Sequence, residues 1–136
     1  MGSYQSGHNA EIFTDSDRNG ILRLLDQLER IIPEEKPVLC HGDFWINNIF
    51  RKSNGQVYVI DPAIHYGLAE ADLAMTKLYG GFPQDFYDGY LEINPLLPGW
   101  EDRLPFYQLK EQMLMVAQTK HEASLVAIRN LISKYS

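Results

Sequence analysis

The chain has 136 residues, of which 45% are hydrophobic and 22% charged, and its formal net charge is −6. This length and composition are typical of one globular domain with a real core, and they argue against intrinsic disorder. The acidic balance argues against a nucleic-acid partner, and no apolar run approaches the roughly 20 residues of a membrane span. With no visible secretory signal and a single cysteine, Cys40, we expect a cytoplasmic protein with a buried, reduced thiol.

Helices dominate the predicted elements. Residues 1–14 are small and polar, and we expect a flexible N-terminal segment there. Apolar residues three and four apart over residues 21–32 predict an amphipathic helix that Asp15, Ser16 or Asp17 can cap. Further helices are predicted over residues 68–79, 85–93, 101–116 and 122–135, with Pro105 in the first turn of the third of these.

A β-hairpin is predicted between the first two helices. Two apolar runs, at residues 49–50 and 57–60, flank the dipeptide Asn54-Gly55. Asn-Gly between β-formers is a strong signal for a tight hairpin with a primed turn. A third short apolar run, residues 38–40, precedes the hairpin, and residues 63–67 show no periodicity. The predicted fold class is therefore α+β and mostly helical, with its few strands in one hairpin cluster.

Three oxygen-bearing side chains lie where this hairpin would bring them together, namely Asp43, Asn48 and Asp61. A carboxylate can accept a hydroxyl proton, and an amide with a second carboxylate offers the hard oxygen ligands that magnesium prefers. Asp43 and Asn48 are five residues apart, as are the Asp and Asn of a protein-kinase catalytic loop. The pattern indicates phosphoryl transfer, with a turn-forming Asp and a hairpin-opening Asn as the simpler alternative.

The segment His-Gly-Asp-Phe-Trp-Ile-Asn-Asn at residues 41–48 resembles the catalytic loop of the aminoglycoside phosphotransferase-like kinases, which have a protein-kinase-like fold. Further fragments resemble the fructosamine kinase (ketosamine-3-kinase) family. They are Ile60–Ala63, Tyr66-Gly67, Glu70, Asp72–Thr76, Gly80–Pro83, Phe86-Tyr87, Pro98-Gly99 and Tyr107–Leu109. Because these fragments occur in order, the combination is specific. The resemblance implies the C-terminal lobe of a kinase-like fold, with a small β-hairpin carrying the catalytic loop.

The resemblance also implies roles for the matched residues. Asp43 would be the catalytic base, and Asn48 and Asp61 would bind Mg²⁺ and, through it, ATP. Trp45 would lie beside the acceptor sugar. Members of the family use ATP to phosphorylate a sugar hydroxyl of a ketosamine, free or protein-bound, a reaction associated with deglycation.

Two further residues would support the catalytic loop rather than react. Asp72 would anchor the loop through hydrogen bonds, and His41 is expected to be a scaffold histidine that hydrogen-bonds the backbone. The sequence departs from the family pattern at Asn47, at Leu68-Ala69 and over residues 118–122.

Family members are about twice as long, and nothing before Val38 resembles their nucleotide-clamping N-terminal lobe, so we expect residues 15–136 to be a C-terminal lobe alone. Two interpretations stay open. One is a ketosamine phosphotransferase represented by this lobe. The other is a noncatalytic lobe that acts as a folding, binding or assembly module, which includes self-association through the face that the missing lobe would cover. By either interpretation we expect the isolated chain to be inactive.

Overall fold

The computed structural model describes residues 12–136, which form six helices and four short strands. The helices are α1 (Asp15–Asp26), α2 (Leu28–Ile31), α3 (Ala69–Tyr79), α4 (Gln84–Ile93), α5 (Trp100–Thr119) and α6 (Glu122–Lys134). The strands are β1 (Val38–Cys40), β2 (Ile49–Arg51), β3 (Val57–Val59) and β4 (His65–Gly67). The predicted mostly helical α+β class is confirmed. None of the helices over residues 12–136 combines the length and the hydropathy that a membrane span requires.

The chain divides into two compact units. The helical unit contains the described residues 12–33 together with Leu109–Ser136, and the site unit contains Glu34–Gln108. Most of the predicted flexible segment, residues 1–11, lies outside the described residues, and the predicted boundary at residue 15 stays a prediction.

In the helical unit, α1 begins with a capping box that corrects the predicted cap. The Thr14 hydroxyl accepts the Asp17 N–H, and the Asp17 carboxylate accepts the Thr14 N–H, so Thr14 is the N-cap and Asp17 the third helical residue. Helix α1 packs against α6, where a side chain at Gly20 would collide with Ile132. The buried apolar residues of this unit are Ile21, Leu24, Leu109, Val116, Ile128 and Leu131.

The strands of the site unit form two separate antiparallel pairs rather than one hairpin cluster. Strand β2 pairs with β3, as predicted, and β1 pairs with β4. Strand β4 was not predicted, because its residues do not alternate between apolar and polar and its partner lies about 27 positions earlier in the chain.

The loop of the β2–β3 hairpin corrects the predicted turn type. A primed turn of the Asn-Gly kind needs positive φ at both central residues, but only Gly55, at φ 88°, has it. The Gly55 N–H donates to Lys52 O, and the Lys52 N–H donates to Gln56 O. The loop is therefore the three-residue type that ends in a left-handed glycine.

The core of the site unit forms where α3, α4 and the first half of α5 meet. Its buried members are Leu73, Ala74, Tyr87 and Leu104, and the aromatic residues packed on them are Phe82, Phe86, Tyr90, Trp100 and Tyr107. Pro105 is the sixth residue of α5, so its predicted place in the first turn is wrong. This core supports the loop that follows β1.

Candidate active site

The loop at residues 41–48, which we call the catalytic loop, follows directly from β1. Its second residue, Gly42, has φ +90°, a conformation that residues with a side chain rarely adopt. A Cβ atom at Gly42 would lie 2.0 Å from Ala63 O. Only glycine therefore allows the loop to approach the segment after β3 this closely.

His41 is held by its two ring nitrogens. Nδ1 accepts a hydrogen bond from the Asp43 N–H at 3.1 Å, and Nε2 contacts Ile60 O at 2.8 Å. A carbonyl can only accept, so Nε2 carries the proton and the ring is the neutral Nε2–H tautomer. The ring thus links the catalytic loop to the end of β3, and neither nitrogen is available for proton transfer.

Asp72, in the first turns of α3, holds the main chain at the start of the catalytic loop. One carboxylate oxygen accepts the His41 N–H at 2.8 Å, and the other accepts the Gly42 N–H at 3.0 Å. These contacts are of the kind expected for a residue that supports the loop.

Asp43 and Asn48 are in direct contact. The Asn48 amide nitrogen donates to Asp43 O at 2.8 Å and to the Asp43 carboxylate at 3.1 Å. A 3₁₀ turn over Ile46–Asn48 brings Asn48 back onto the loop, and its side chain is buried. Since the amide N–H groups serve Asp43, the amide oxygen remains as an acceptor or metal ligand.

Asp61 lies beside the catalytic loop, because the chain on either side of it is bonded to that loop. The Ile60 N–H donates to Asn48 O at 2.9 Å, and the Ala63 N–H donates to His41 O at 2.8 Å. Asp61 has φ +50°, a left-handed conformation that Asp tolerates better than most residues, and its side chain is exposed.

The donor set fits magnesium in its chemistry, because amide and carboxylate oxygens are hard ligands. Among residues 12–136, no three His, Cys, Asp or Glu side chains cluster as a metal site. In a magnesium site of the kinase kind, phosphate oxygens of the nucleotide normally supply the remaining ligands. The protein then needs to offer only a few ligands, such as one amide and one carboxylate, and no cluster of three acidic or histidine side chains is required.

Aromatic contacts fix the middle of the catalytic loop. The Trp45 ring lies 4.8 Å from that of Tyr79 at the end of α3, and the Phe44 ring contacts Phe82 and Phe86. Trp45 itself stays partly exposed.

Two titratable groups near Asp72, the Cys40 thiol and the Tyr90 hydroxyl, have raised pKa values. Burial raises the pKa of the Cys40 thiol, and the nearby carboxylate of Asp72 raises it further. The same two causes, in the same order, raise the pKa of the Tyr90 hydroxyl. A thiol with a raised pKa is a poor nucleophile, which agrees with the structural role expected for Cys40.

Sequence reasoning assigned no role to Glu70, which is fully buried in the first turn of α3. Its carboxylate accepts hydrogen bonds from the Arg103 guanidinium and from the Tyr107 hydroxyl, both on α5. Arg103 lies 33 positions further along the chain, a separation with no recognisable spacing.

The same fold is found in solved kinase-like structures. A predicted fructosamine-3-kinase of Thermobifida fusca matches with a TM-score of 0.74 and 31% identity, over 92% of this chain and 42% of that one. A second, from Haemophilus somnus, matches with a TM-score of 0.68 and 29% identity, over 85% of this chain and 39% of the other. These similarities show that the chain has a kinase-like fold.

The chain belongs to the fructosamine kinase family, whose family model matches residues 10–134. A probable ketoamine kinase of Enterococcus faecium is 44% identical over 90 residues, which cover 65% of this chain and 32% of that protein. Mouse ketosamine-3-kinase is 44% identical over 73 residues, which cover 54% of this chain and 23% of the mouse protein. The family resemblance of the motifs is confirmed, and the match spans a third or less of these two relatives.

Proposed function

We propose that this chain carries the catalytic loop of a phosphotransferase of the fructosamine kinase type. The reaction would transfer the γ-phosphate of ATP to a sugar hydroxyl of a ketosamine, either a small molecule or a glycated protein, as in deglycation. The observation that carries the proposal is the contact of Asn48 with Asp43, which joins a carboxylate and an amide in one loop. Family membership and the similarity to ketosamine-3-kinase support the substrate class.

In this proposal Asp43 is the catalytic base. One of its carboxylate oxygens accepts from Asn48, which orients the carboxyl group and leaves the other oxygen for the acceptor hydroxyl. Orientation of the attacking hydroxyl is the main help that a kinase aspartate gives, because phosphoryl transfer requires little covalent chemistry from the protein.

The amide oxygen of Asn48 and the carboxylate of Asp61 would hold Mg²⁺ on the phosphates of ATP. The ion would neutralise charge that develops during the transfer. This part can be tested without turnover by adding Mn²⁺, which broadens the NMR signals of nearby nuclei. We expect broadening centred on Asn48 and Asp61 that Asp61→Asn removes and that Asp85→Asn, a change of an exposed carboxylate on α4, leaves intact. Equal broadening in both variants would contradict the assignment.

The remaining site residues would position substrate and loop. Trp45 offers a partly exposed ring for the acceptor sugar, and His41 and Asp72 would hold the main chain without touching substrate. We place the protein in the cytoplasm, where the buried thiol of Cys40 stays reduced.

Activity is best tested in a chimaera. The part of this chain that matches the Enterococcus faecium ketoamine kinase would replace the corresponding segment of that protein, and the relative would supply the rest. We expect ATP-dependent phosphorylation of a ketosamine that falls about 10²–10⁴-fold in Asp43→Asn, the usual contribution of a general base. Asp85→Asn is the matched control and should keep the rate. A folded chimaera without Asp43-dependent transfer would overturn the proposal.

The exposed apolar strands favour a second candidate, a noncatalytic lobe that assembles with another chain. Leu39 and Tyr66 are exposed partners across β1 and β4, and Phe50 and Tyr58 are exposed partners across β2 and β3. We expect no turnover from the isolated chain, since kinases grip the nucleotide's phosphates with groups from both lobes. Ketosamine phosphorylation by the chain alone, abolished by Asp43→Asn, would contradict that expectation.

A further inference from the structure

Helix α3 touches the catalytic loop and α5 with two different carboxylates. Glu70 and Asp72 are two residues apart, so they project about 200° apart around the helix axis. Asp72 holds the His41 and Gly42 N–H groups, whereas Glu70 holds Arg103 and Tyr107. The first turns of α3 are thus fixed on opposite sides.

The contact of Glu70 with α5 is shielded from water and contains several hydrogen bonds. Glu70 is fully buried, and the Arg103 side chain is 13% exposed. The Nε and Nη2 atoms of Arg103 both donate to the Glu70 carboxylate, and the Tyr107 hydroxyl donates to it at 3.0 Å. A buried carboxylate with this many donors keeps one position, because any other position would leave its charge unpaired.

Arg103 also anchors the segment that leads into α5. Its Nη1 donates to Pro98 O at 2.9 Å, and its Nη2 donates to Leu97 O at 3.1 Å. The guanidinium therefore joins three pieces of chain, namely α3, α5 and the residues between α4 and α5. Lysine could not replace it, since an ammonium group lacks the planar fork that makes these bonds together.

The start of α3 needs this anchor because it has no cap of its own. Leu68 is the N-cap residue, and it offers no side-chain hydrogen bond to the first turn. Helix ends without caps fray, and a frayed first turn would move Asp72 away from the catalytic loop.

We propose that Glu70, Arg103 and Tyr107 are positioning residues for the catalytic base. They fix the first turns of α3, so that Asp72 holds the main chain of His41 and Gly42 and thereby aims Asp43. This inference rests on the proposed function for its purpose, but the mechanical link it describes is independent of catalysis.

The test is amide hydrogen exchange in the whole chain, which needs neither ATP nor turnover. Arg103→Met should raise the exchange rates of the His41 and Gly42 amides by at least about tenfold more than that of Gly89, which lies within α4 of the same unit. The matched control is Arg129→Met, which breaks another long-range Arg–carboxylate pair, with Asp17, and should leave the His41 and Gly42 amides unchanged.

A double variant shows whether the effect passes through Asp72. Asp72→Ala should expose the two loop amides by itself, and adding Arg103→Met should then raise their exchange no further. Tyr107→Phe removes a single hydroxyl, and it should give a smaller rise at the same two amides even if Arg103→Met fails to fold. A uniform rise across the site unit, or a full additional effect in the double variant, would overturn the proposal.

The chimaera separates this inference from the proposed function. Selective exchange of the loop amides without any ketosamine phosphorylation would leave the link intact and reject the kinase proposal. Phosphorylation that Arg103→Met leaves unaltered would keep the kinase and reject the positioning role. The expected result is a loss of about tenfold in kcat with KM for ATP nearly unchanged, because the base and not the nucleotide site is disturbed.

Discussion

At the scale of single residues, the geometry of the site requires glycine at position 42. Its φ of +90° strains any other residue, and Ala63 O occupies the place of a Cβ atom. We expect Gly42→Ala to lower the free energy of unfolding by about 2–5 kcal/mol, from backbone strain of about 1–2 and forced packing of about 1–3 kcal/mol. Urea denaturation followed by circular dichroism measures the change.

Gly55 provides the control for that experiment. It has nearly the same φ, 88°, but a Cβ atom there would meet nothing within 4 Å. Gly55→Ala should therefore cost only the backbone strain, about 1–2 kcal/mol. Equal losses in the two variants would mean that the contact with Ala63 carries no energy.

A second test at the residue scale concerns the buried hydroxyl pair in the core of the site unit. The single hydroxyl hydrogen of Thr76 is donated to Leu73 O at 2.7 Å, so the 2.8 Å contact with Tyr87 has the tyrosine as donor. Tyr87→Phe removes that donor and leaves the Thr76 bond to Leu73 in place. We expect a loss of about 1 kcal/mol.

Thr76→Val has the larger expected cost, although the two side chains have similar shapes. It leaves the Tyr87 hydroxyl buried without its acceptor, a loss of about 1–3 kcal/mol. Urea denaturation of the two variants measures their free energies of unfolding, and we expect the lower value for Thr76→Val. Tyr87→Phe costing more than Thr76→Val would contradict the assignment of Tyr87 as the donor.

At the scale of elements, one ion pair joins α1 and α6. Arg129 donates to both carboxylate oxygens of Asp17 at 2.9 Å. This contact, helped by Thr14 and opposed by burial, lowers the pKa of Asp17 from 3.8 to about 2. Because the folded state binds the proton less well, the stabilisation is present above pH 3.8 and is lost as the pH falls to about 2.

We therefore expect the free energy of unfolding to fall with decreasing pH over that window, and Arg129→Met to remove most of this fall. The measurement is urea denaturation repeated between neutral pH and about pH 2. Arg18→Met is the control, since it breaks an exposed pair with Asp15 that contributes little. Identical acid profiles for the native chain and Arg129→Met would contradict the linkage.

Local periodicity predicted the helices well and the strands less well. The predicted ranges 68–79 and 122–135 differ from α3 and α6 by one residue at one end, because the burial pattern of a helix repeats within the helix. Strand β4 exists through pairing with the distant β1, and the hairpin turn depends on φ values that Asn-Gly alone does not determine. Strand β4 therefore depends on a partner outside the local sequence, whereas the turn depends on a backbone conformation that the dipeptide alone does not specify.

The candidate site also has local contacts, which the sequence could predict, and long-range contacts, which it could not. The contact of Asp43 with Asn48 lies within five residues and could be predicted from spacing and motif. The network of Glu70 with Arg103 and Tyr107 spans more than 30 positions, and a buried glutamate in a first helical turn looks like an ordinary solvated residue in sequence.

At the scale of the whole molecule, the exposed apolar strands predict self-association. Tyr66 is 76% exposed and Leu39, its partner across β1 and β4, is 62% exposed. Neighbouring apolar side chains on a sheet lose unfavourable contact with water when a second surface covers them. We expect sedimentation velocity to show a reversible equilibrium between monomer and oligomer. The dissociation constant should rise at least about tenfold in the double variant Leu39→Thr/Tyr66→Thr, because burial of two such side chains is worth more than about 1.4 kcal/mol. Threonine keeps the strand propensity, so pairing of β1 with β4 should survive.

The control for this prediction is Ile93→Thr, because Ile93 is 80% exposed at the end of α4 and lies outside both strand pairs. If exposure of any large apolar residue drives the association, Ile93→Thr will weaken it as well. If the strands drive it, only the double variant will do so. If the protein is a monomer at every concentration, the exposed apolar side chains of the strands do not drive association. The strands would then no longer support the assembly interpretation.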